Sequence, residues 1–245
     1  MPQRKEWFGE WFDSPYYHVL YHDRDHREAQ YFIDNLIRIL RLLESDKILD
    51  VACGKGRHSI YLNRKGFDVT GFDLSEQNVT YAREFENEKL HFFVHDMRQP
   101  FRPGKFDVVL NLFTSFGYFN TEEENIKSIK AITASLKTGG RFLLDFLNPY
   151  TVIHALKPAE TKLVKGINFK IRKYLSQDNF IIKEIEFDDK GKSYHYEERV
   201  RAIRRLDFLG YFKEAGLLVE NIFGDYHFNL YVPEDSERMI FVLKK

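Results

Sequence analysis

Two glycines two residues apart, Gly54 and Gly56, stand between a short apolar run, Ile48 to Val51, and a segment with helical spacing. Glycine at such a turn lets backbone touch a ligand, and the helix that follows offers free N–H groups and a positive dipole end to an anion. Asp73 closes a second apolar run, 17 residues beyond Gly56. A carboxylate there can accept hydrogen bonds from both hydroxyls of a ribose. Asp96 follows a third run and is placed to accept from an adenine amino group. The pattern Gly54-x-Gly56-x-x-Ser59 also matches a degenerate nicotinamide-dinucleotide fingerprint. Against that stand Asp50, four residues before Gly54, and the pair Gly139-Gly140 leading into a later strand.

The elements that position these residues follow from periodicity. Ile48 to Val51, Phe67 to Phe72, Leu90 to Val94, Phe106 to Leu112 and Arg141 to Leu147 read as strands. Between them, residues 57 to 65 read as a helix ended by Gly66. Ser75 caps a helix with Val79 and Ala82 inward, and Thr121 with Glu124 forms a capping box for another that Gly139-Gly140 ends. Ala29, Phe32, Ile33, Leu36, Ile37 and Leu40 make one apolar face of an earlier helix. Apolar strands alternating with amphipathic helices predict a parallel sheet covered on both faces. Residues 162 to 204 instead alternate β-branched or aromatic with polar residues, which predicts an antiparallel meander of about three strands. A helix at 206 to 215 and strands at Leu217 to Phe223 and Met239 to Leu243 close the chain.

Composition narrows the function class. Acidic and basic residues both number 37, so no global field gathers nucleic acid or anionic membrane. No apolar run approaches the roughly 20 residues a bilayer span needs. The single cysteine, Cys53, excludes an internal disulfide framework and fits a reducing compartment. With no apolar signal core behind Met1 to Trp7, the expected location is the cytoplasm.

Taken together, these motifs resemble the class I S-adenosylmethionine-dependent methyltransferases, over roughly residues 45 to 150 and 206 to 245. The resemblance implies a doubly wound α/β fold, Rossmann-like, with a seven-stranded sheet of order 3-2-1-4-5-7-6 whose last strand is antiparallel. It implies that Asp50, Ala52, Gly54 and Gly56 form the cofactor loop, that Asp73 with Leu74 holds the ribose, and that Asp96 with Met97 frames the adenine. Asn111 and Leu112 would contact the methionine part through backbone. The commonest family pattern has glycine where this chain has Ala52 and His58. The chain would then divide into an N-terminal aromatic lid and helix (1–44), a cofactor-binding core (45–150 and 206–245) and a β insertion (151–205) that covers substrate. In the lid, Tyr17 and Tyr21 are the candidates, with Tyr16, to reach the cofactor's carboxylate.

Methyl transfer from a sulfonium is an in-line displacement whose electrophile the cofactor supplies, leaving S-adenosylhomocysteine. The protein must mainly align the nucleophile and exclude water, so no loud catalytic signature is required. Asn111-Leu112-Phe113-Thr114 lacks the Asn/Asp-Pro-Pro-aromatic signature of exocyclic amine methylation of bases or glutamine. Cys53 lies in the glycine loop, as a small buried hydrophobe rather than a nucleophile. The substrate is expected beyond the fourth strand, near residues 114 to 119 and Asp225-Tyr226-His227, with His227 as base and Tyr118 as positioning group. His18, His22 and His26, beside Asp23 and Asp25, recur every four residues, but a solvated or cofactor-covering face is the expected role and no metal is assigned. The basic stretch Arg199 to Arg205 is expected on a solvated strand face. The resulting expectation is methylation of an N or O atom of a small molecule. An RNA or protein methyltransferase, a non-catalytic cofactor-binding module and a nicotinamide oxidoreductase are the alternatives.

Overall fold

In the computed structural model the described residues are 7–22, 26–113 and 115–245. Asp23, Asp25 and Thr114 fall outside them. The chain splits into two compact units, one containing described residues 7–22 with Pro149–Ala202, the other described residues 26–148 with Ile203–Lys245.

The larger unit is a seven-stranded sheet with helices between its strands. Its strands are β1 (Lys47–Val51), β2 (Asp68–Asp73), β3 (Leu90–Val94), β4 (Phe106–Asn111), β5 (Leu136–Leu147), β10 (Leu218–Phe223) and β11 (Arg238–Lys244). They lie in the order β3-β2-β1-β4-β5-β11-β10. The first five are parallel, and β11 runs antiparallel to both β5 and β10. This is the expected order with its reversed last strand. The central strands are apolar along nearly their whole length because helices cover both faces.

Helix α3 (His26–Leu40) buries Ala29, Phe32, Ile33, Leu36 and Leu40, the stripe its three-and-four spacing predicts. Gly56 starts α4 (Arg57–Arg64). Ser75 caps α5 (Glu76–Arg83) by accepting from Asn78 N at 3.1 Å, and Thr121 caps α6 (Glu122–Ser135) by accepting from Glu124 N at 3.2 Å. One boundary differs from expectation. Gly139-Gly140 do not end α6; the helix stops at Ser135 and both glycines lie inside β5, which starts at Leu136. Phe106 pairs with Leu136, and a register shift carries the pairing on to Val108 with Arg141. Ladder pairing therefore captured a segment that local turn chemistry assigned to a loop.

The smaller unit holds an antiparallel sheet of four strands, β6 (Ala159–Val164), β7 (Ile167–Leu175), β8 (Phe180–Asp189) and β9 (Lys192–Arg201), one more than the alternation suggests. A short helix, α7 (Pro149–His154), precedes them. Helices α1 (Trp7–Phe12) and α2 (Pro15–Leu20) pack here, Trp11 and Leu20 joining Phe169, Ile171, Ile185 and Phe187 in one core. Trp11 donates Nε1–H to Glu198 at 2.7 Å and lies 4.6 Å from the Tyr196 ring. Helix α8 (Arg205–Glu214) returns the chain to the larger unit through Phe208 and Phe212. No helix among the described residues is long and apolar enough to cross a membrane.

Candidate functional site

The turn after β1 is built from left-handed backbone. Ala52, Gly54 and Gly56 have φ of +55°, +56° and +77°. At Gly56 no larger residue fits, since a Cβ would lie 2.7 Å from Phe92 Cζ. Gly71, on β2 beside Asp50, is similarly closed by Phe92 and Cys53 Sγ. The loop is thus pressed onto the sheet and held by Asp73. One Asp73 oxygen accepts from Gly54 N at 2.8 Å, and the other accepts from Ser75 N at 2.9 Å. Leu74, next to Asp73, is 44% exposed at the same strand end.

Asp50 points elsewhere. It is buried and accepts from Ser59 Oγ at 2.5 Å, tying the end of β1 to the first turn of α4. Burial raises its pKa to about 7, with the nearby Asp73 charge adding to that and the Ser59 bond opposing it. Cys53 keeps its proton, because burial and the charges of Asp50 and Asp73 push the thiol up. Asp96 has a partner invisible from sequence spacing alone. Arg98 grips both of its oxygens, at 2.7 Å to one, and reaches Glu124 at 2.9 Å. Burial alone would raise Asp96, but the Arg98 side-chain and backbone bonds outweigh it and hold the carboxyl below its ordinary range. Met97 beside it is half-buried.

Asn111 ends β4 fully buried, donating Nδ2–H to Val51 O at 3.0 Å, while its Oδ1 has no partner among the described residues. Leu112 is buried, and Phe113 then adopts a left-handed conformation, φ +58°. A narrow recess opens here, walled by Phe32, Phe113 and Tyr226 with the carboxylates of Glu28 and Asp145; Arg57 and His58 also line it. His58, where the family pattern has glycine, therefore sends its side chain from α4 into this recess, within 3.2 Å of Arg57.

Asp145 did not stand out in the sequence, although it interrupts the apolar run Phe142 to Leu147. Of the triplet Asp225-Tyr226-His227, Tyr226 lines the recess. His227 is exposed and its Nδ1 meets Tyr31 Oη at 2.7 Å. Tyr118 is half-buried and is not among the recess-lining residues. Tyr17 and Tyr21 belong to the smaller unit, where Tyr21 donates to Glu198 at 2.6 Å and receives a bond from Lys183. Tyr17 packs on Trp11, Phe12 and Tyr21. His18 and His22 lie in the smaller unit and His26 at the start of α3.

The methyltransferase domain family matches residues 48–140, the span from β1 to the middle of β5. The chain is 30% identical over 205 residues to a dTDP-3-amino-3,4,6-trideoxy-alpha-D-glucopyranose N,N-dimethyltransferase of Streptomyces venezuelae, covering 78% of this chain and 83% of that one. It is 30% identical over 236 residues to a glycine/sarcosine N-methyltransferase of Aphanothece halophytica, covering 93% and 85%. An S-adenosylmethionine-dependent methyltransferase of Clostridium acetobutylicum shares the fold with a TM-score of 0.78, at 23% identity over 94% of this chain and 95% of that one. A loop with no room for a Cβ at Gly56, an acidic residue at the end of β2, a sheet with its reversed last strand, and these relatives lead to one assignment: the chain belongs to the class I S-adenosylmethionine-dependent methyltransferases, with S-adenosylmethionine as its cofactor.

Proposed function

We propose that this enzyme transfers a methyl group to an amine nitrogen of a small molecule. The observation that carries the reading is the recess beyond β4, where three aromatic rings stand with the carboxylates of Asp145 and Glu28. Aromatic faces beside the exposed Glu28 carboxylate favour a cationic or amine-bearing guest over a neutral alcohol, while the Asp145 charge is already paired with Arg238. Two relatives aligned over most of the chain are named for methylation at nitrogen. Balanced charge supplies no field for a polyanionic acceptor such as RNA.

S-Adenosylmethionine, when bound, supplies an electrophilic methyl group on a positively charged sulfur. The roles proposed for the chain's own residues are binding and alignment. Asp73, with Leu74, would hold the ribose, Asp96 with Met97 the adenine end, and the backbone at Asn111 and Leu112 the methionine end. Asp50, Ala52, Gly54 and Gly56 would shape the loop between them. Tyr226, rather than His227 or Tyr118, is the residue whose position suits contact with the acceptor. An attacking amine needs no strong base.

The test is a transfer assay with methyl-labelled S-adenosylmethionine against matched panels of small amines, including amino sugars and amino acids, and of alcohols. Label appearing in amines supports the reading. Label confined to the alcohols overturns it.

A further inference from the structure

Asp145 lies in the buried second half of β5, between Leu144 and Phe146, and its side chain is fully buried. A carboxylate in such a place must have all its acceptor capacity met by donors. Arg238 Nε donates to Oδ1 at 2.7 Å. Oδ2 receives the other two donors, Phe113 N at 3.0 Å and Tyr226 Oη at 3.2 Å. These donors come from β11, from the loop after β4, and from the loop after β10.

Two of these bonds do more than neutralise a charge. Phe113 holds φ +58°, a conformation that costs any residue with a side chain, and it persists only where its surroundings demand it. The bond from its N–H to Asp145 supplies that demand, one residue beyond Asn111-Leu112. The bond from Tyr226 uses the single hydrogen of the phenol. What Tyr226 can still offer to the recess is lone pairs. Burial and the Asp145 charge both push this phenol well up, so it remains a hydroxyl and does not serve as a base.

We propose that Asp145 is a positioning residue for methyl transfer: it pins the left-handed turn at Phe113 and turns the Tyr226 hydroxyl so that only lone pairs face the recess, which orients an acceptor, such as an amine, that arrives donating a hydrogen. The half concerning Tyr226 rests on the amine reading above; the half concerning Phe113 rests on Asn111 and Leu112 meeting the cofactor.

The experiment separates this role from plain charge neutralisation. In the double variant Asp145→Leu/Arg238→Met the ion pair is replaced by apolar groups, so no uncompensated buried charge is left while Phe113 N and Tyr226 Oη lose their acceptor. In Asp145→Asn/Arg238→Met an uncharged oxygen is kept for both donors. Calorimetric binding of S-adenosylhomocysteine is measured for each beside the wild-type chain, with urea midpoints to verify folding. The Leu/Met pair should bind at least tenfold more weakly, and the Asn/Met pair should recover to within threefold. Equal, wild-type-like binding by both overturns the Phe113 role. A wild-type chain that binds no S-adenosylhomocysteine refutes the cofactor site itself, which is a different failure. Tyr226→Phe removes one oxygen and carries little risk of misfolding, so it remains decisive if the Leu/Met pair does not fold. With an amine found in the labelled screen it should raise KM at least tenfold and leave kcat within threefold; unchanged KM overturns the proposal.

Discussion

Gly56→Ala tests whether the cofactor loop is held where the geometry places it. The added Cβ would lie 2.7 Å and 2.8 Å from Phe92 Cζ and Cε1, and 3.3 Å from the Ala82 side chain. Phe92 is buried on β3 and has no free end to swing away. Overpacking of this kind costs about 1–3 kcal/mol. The φ of +77° adds about 1–2 kcal/mol for an L side chain in left-handed backbone. The expected loss is therefore about 2–5 kcal/mol, a large share of a typical domain's stability. Gly54→Ala is the internal control, because its φ of +56° imposes the strain while no atom lies within 4 Å of its Cβ; it should lose only about 1–2 kcal/mol. Urea unfolding of both variants, repeated in a Phe92→Leu background, resolves the parts. The smaller side chain should relieve the overpacking at residue 56 and leave the strain at both positions. Equal losses for the two glycine variants, or a Gly56→Ala loss that is the same in the Phe92→Leu background, would refute the reasoning.

The other expectations concern the two acidic residues at the ends of β1 and β2. Asp73→Ala removes the acceptor of Gly54 N and Ser75 N and the proposed ribose partner. Calorimetry should show cofactor binding weaker by about 1–3 kcal/mol, the scale of bonds to a charged acceptor. For Asp50, burial places the folded-state pKa at about 7, against an ordinary value of 3.8 in the unfolded chain. The folded state then binds the proton more tightly, so stability falls as pH rises between these values and levels off above the higher one. Asp50→Asn should remove on the order of 4 kcal/mol of that fall. The check is the difference between wild-type and variant urea stabilities from pH 4 to pH 8; a flat difference contradicts the burial argument.

Much of the larger unit was legible in sequence because its signals are local. An apolar run short enough for a strand, a glycine turn and an amphipathic helix lie next to one another along the chain, and the Ser75 and Thr121 caps involve partners three residues away. The glycine loop belongs to this class: Ala52, Gly54, Gly56 and Asp73 all sit at ends of adjacent strands, so spacing alone places them together.

What tertiary structure decided involves partners distant in sequence. Gly139-Gly140 read locally as a helix stop, yet pairing with β4 and β11 draws them into β5. His227 and Tyr226 differ by one position, and only the course of the loop after β10 turns the tyrosine toward Asp145 and the histidine toward Tyr31. Arg238 meets Asp145 across 93 residues because the reversed β11 sets Arg238 opposite Leu147, two residues from that aspartate. The aromatic N-terminal segment packs on a sheet whose strands begin near residue 159, through contacts such as Trp11 with Tyr196. The sequence by itself determined the glycine loop and the acidic strand end beside it, since these are made of neighbours. The recess beside it is assembled from α3, the start of α4, β5 and the loops after β4 and β10, which long-range strand pairing and helix packing bring together.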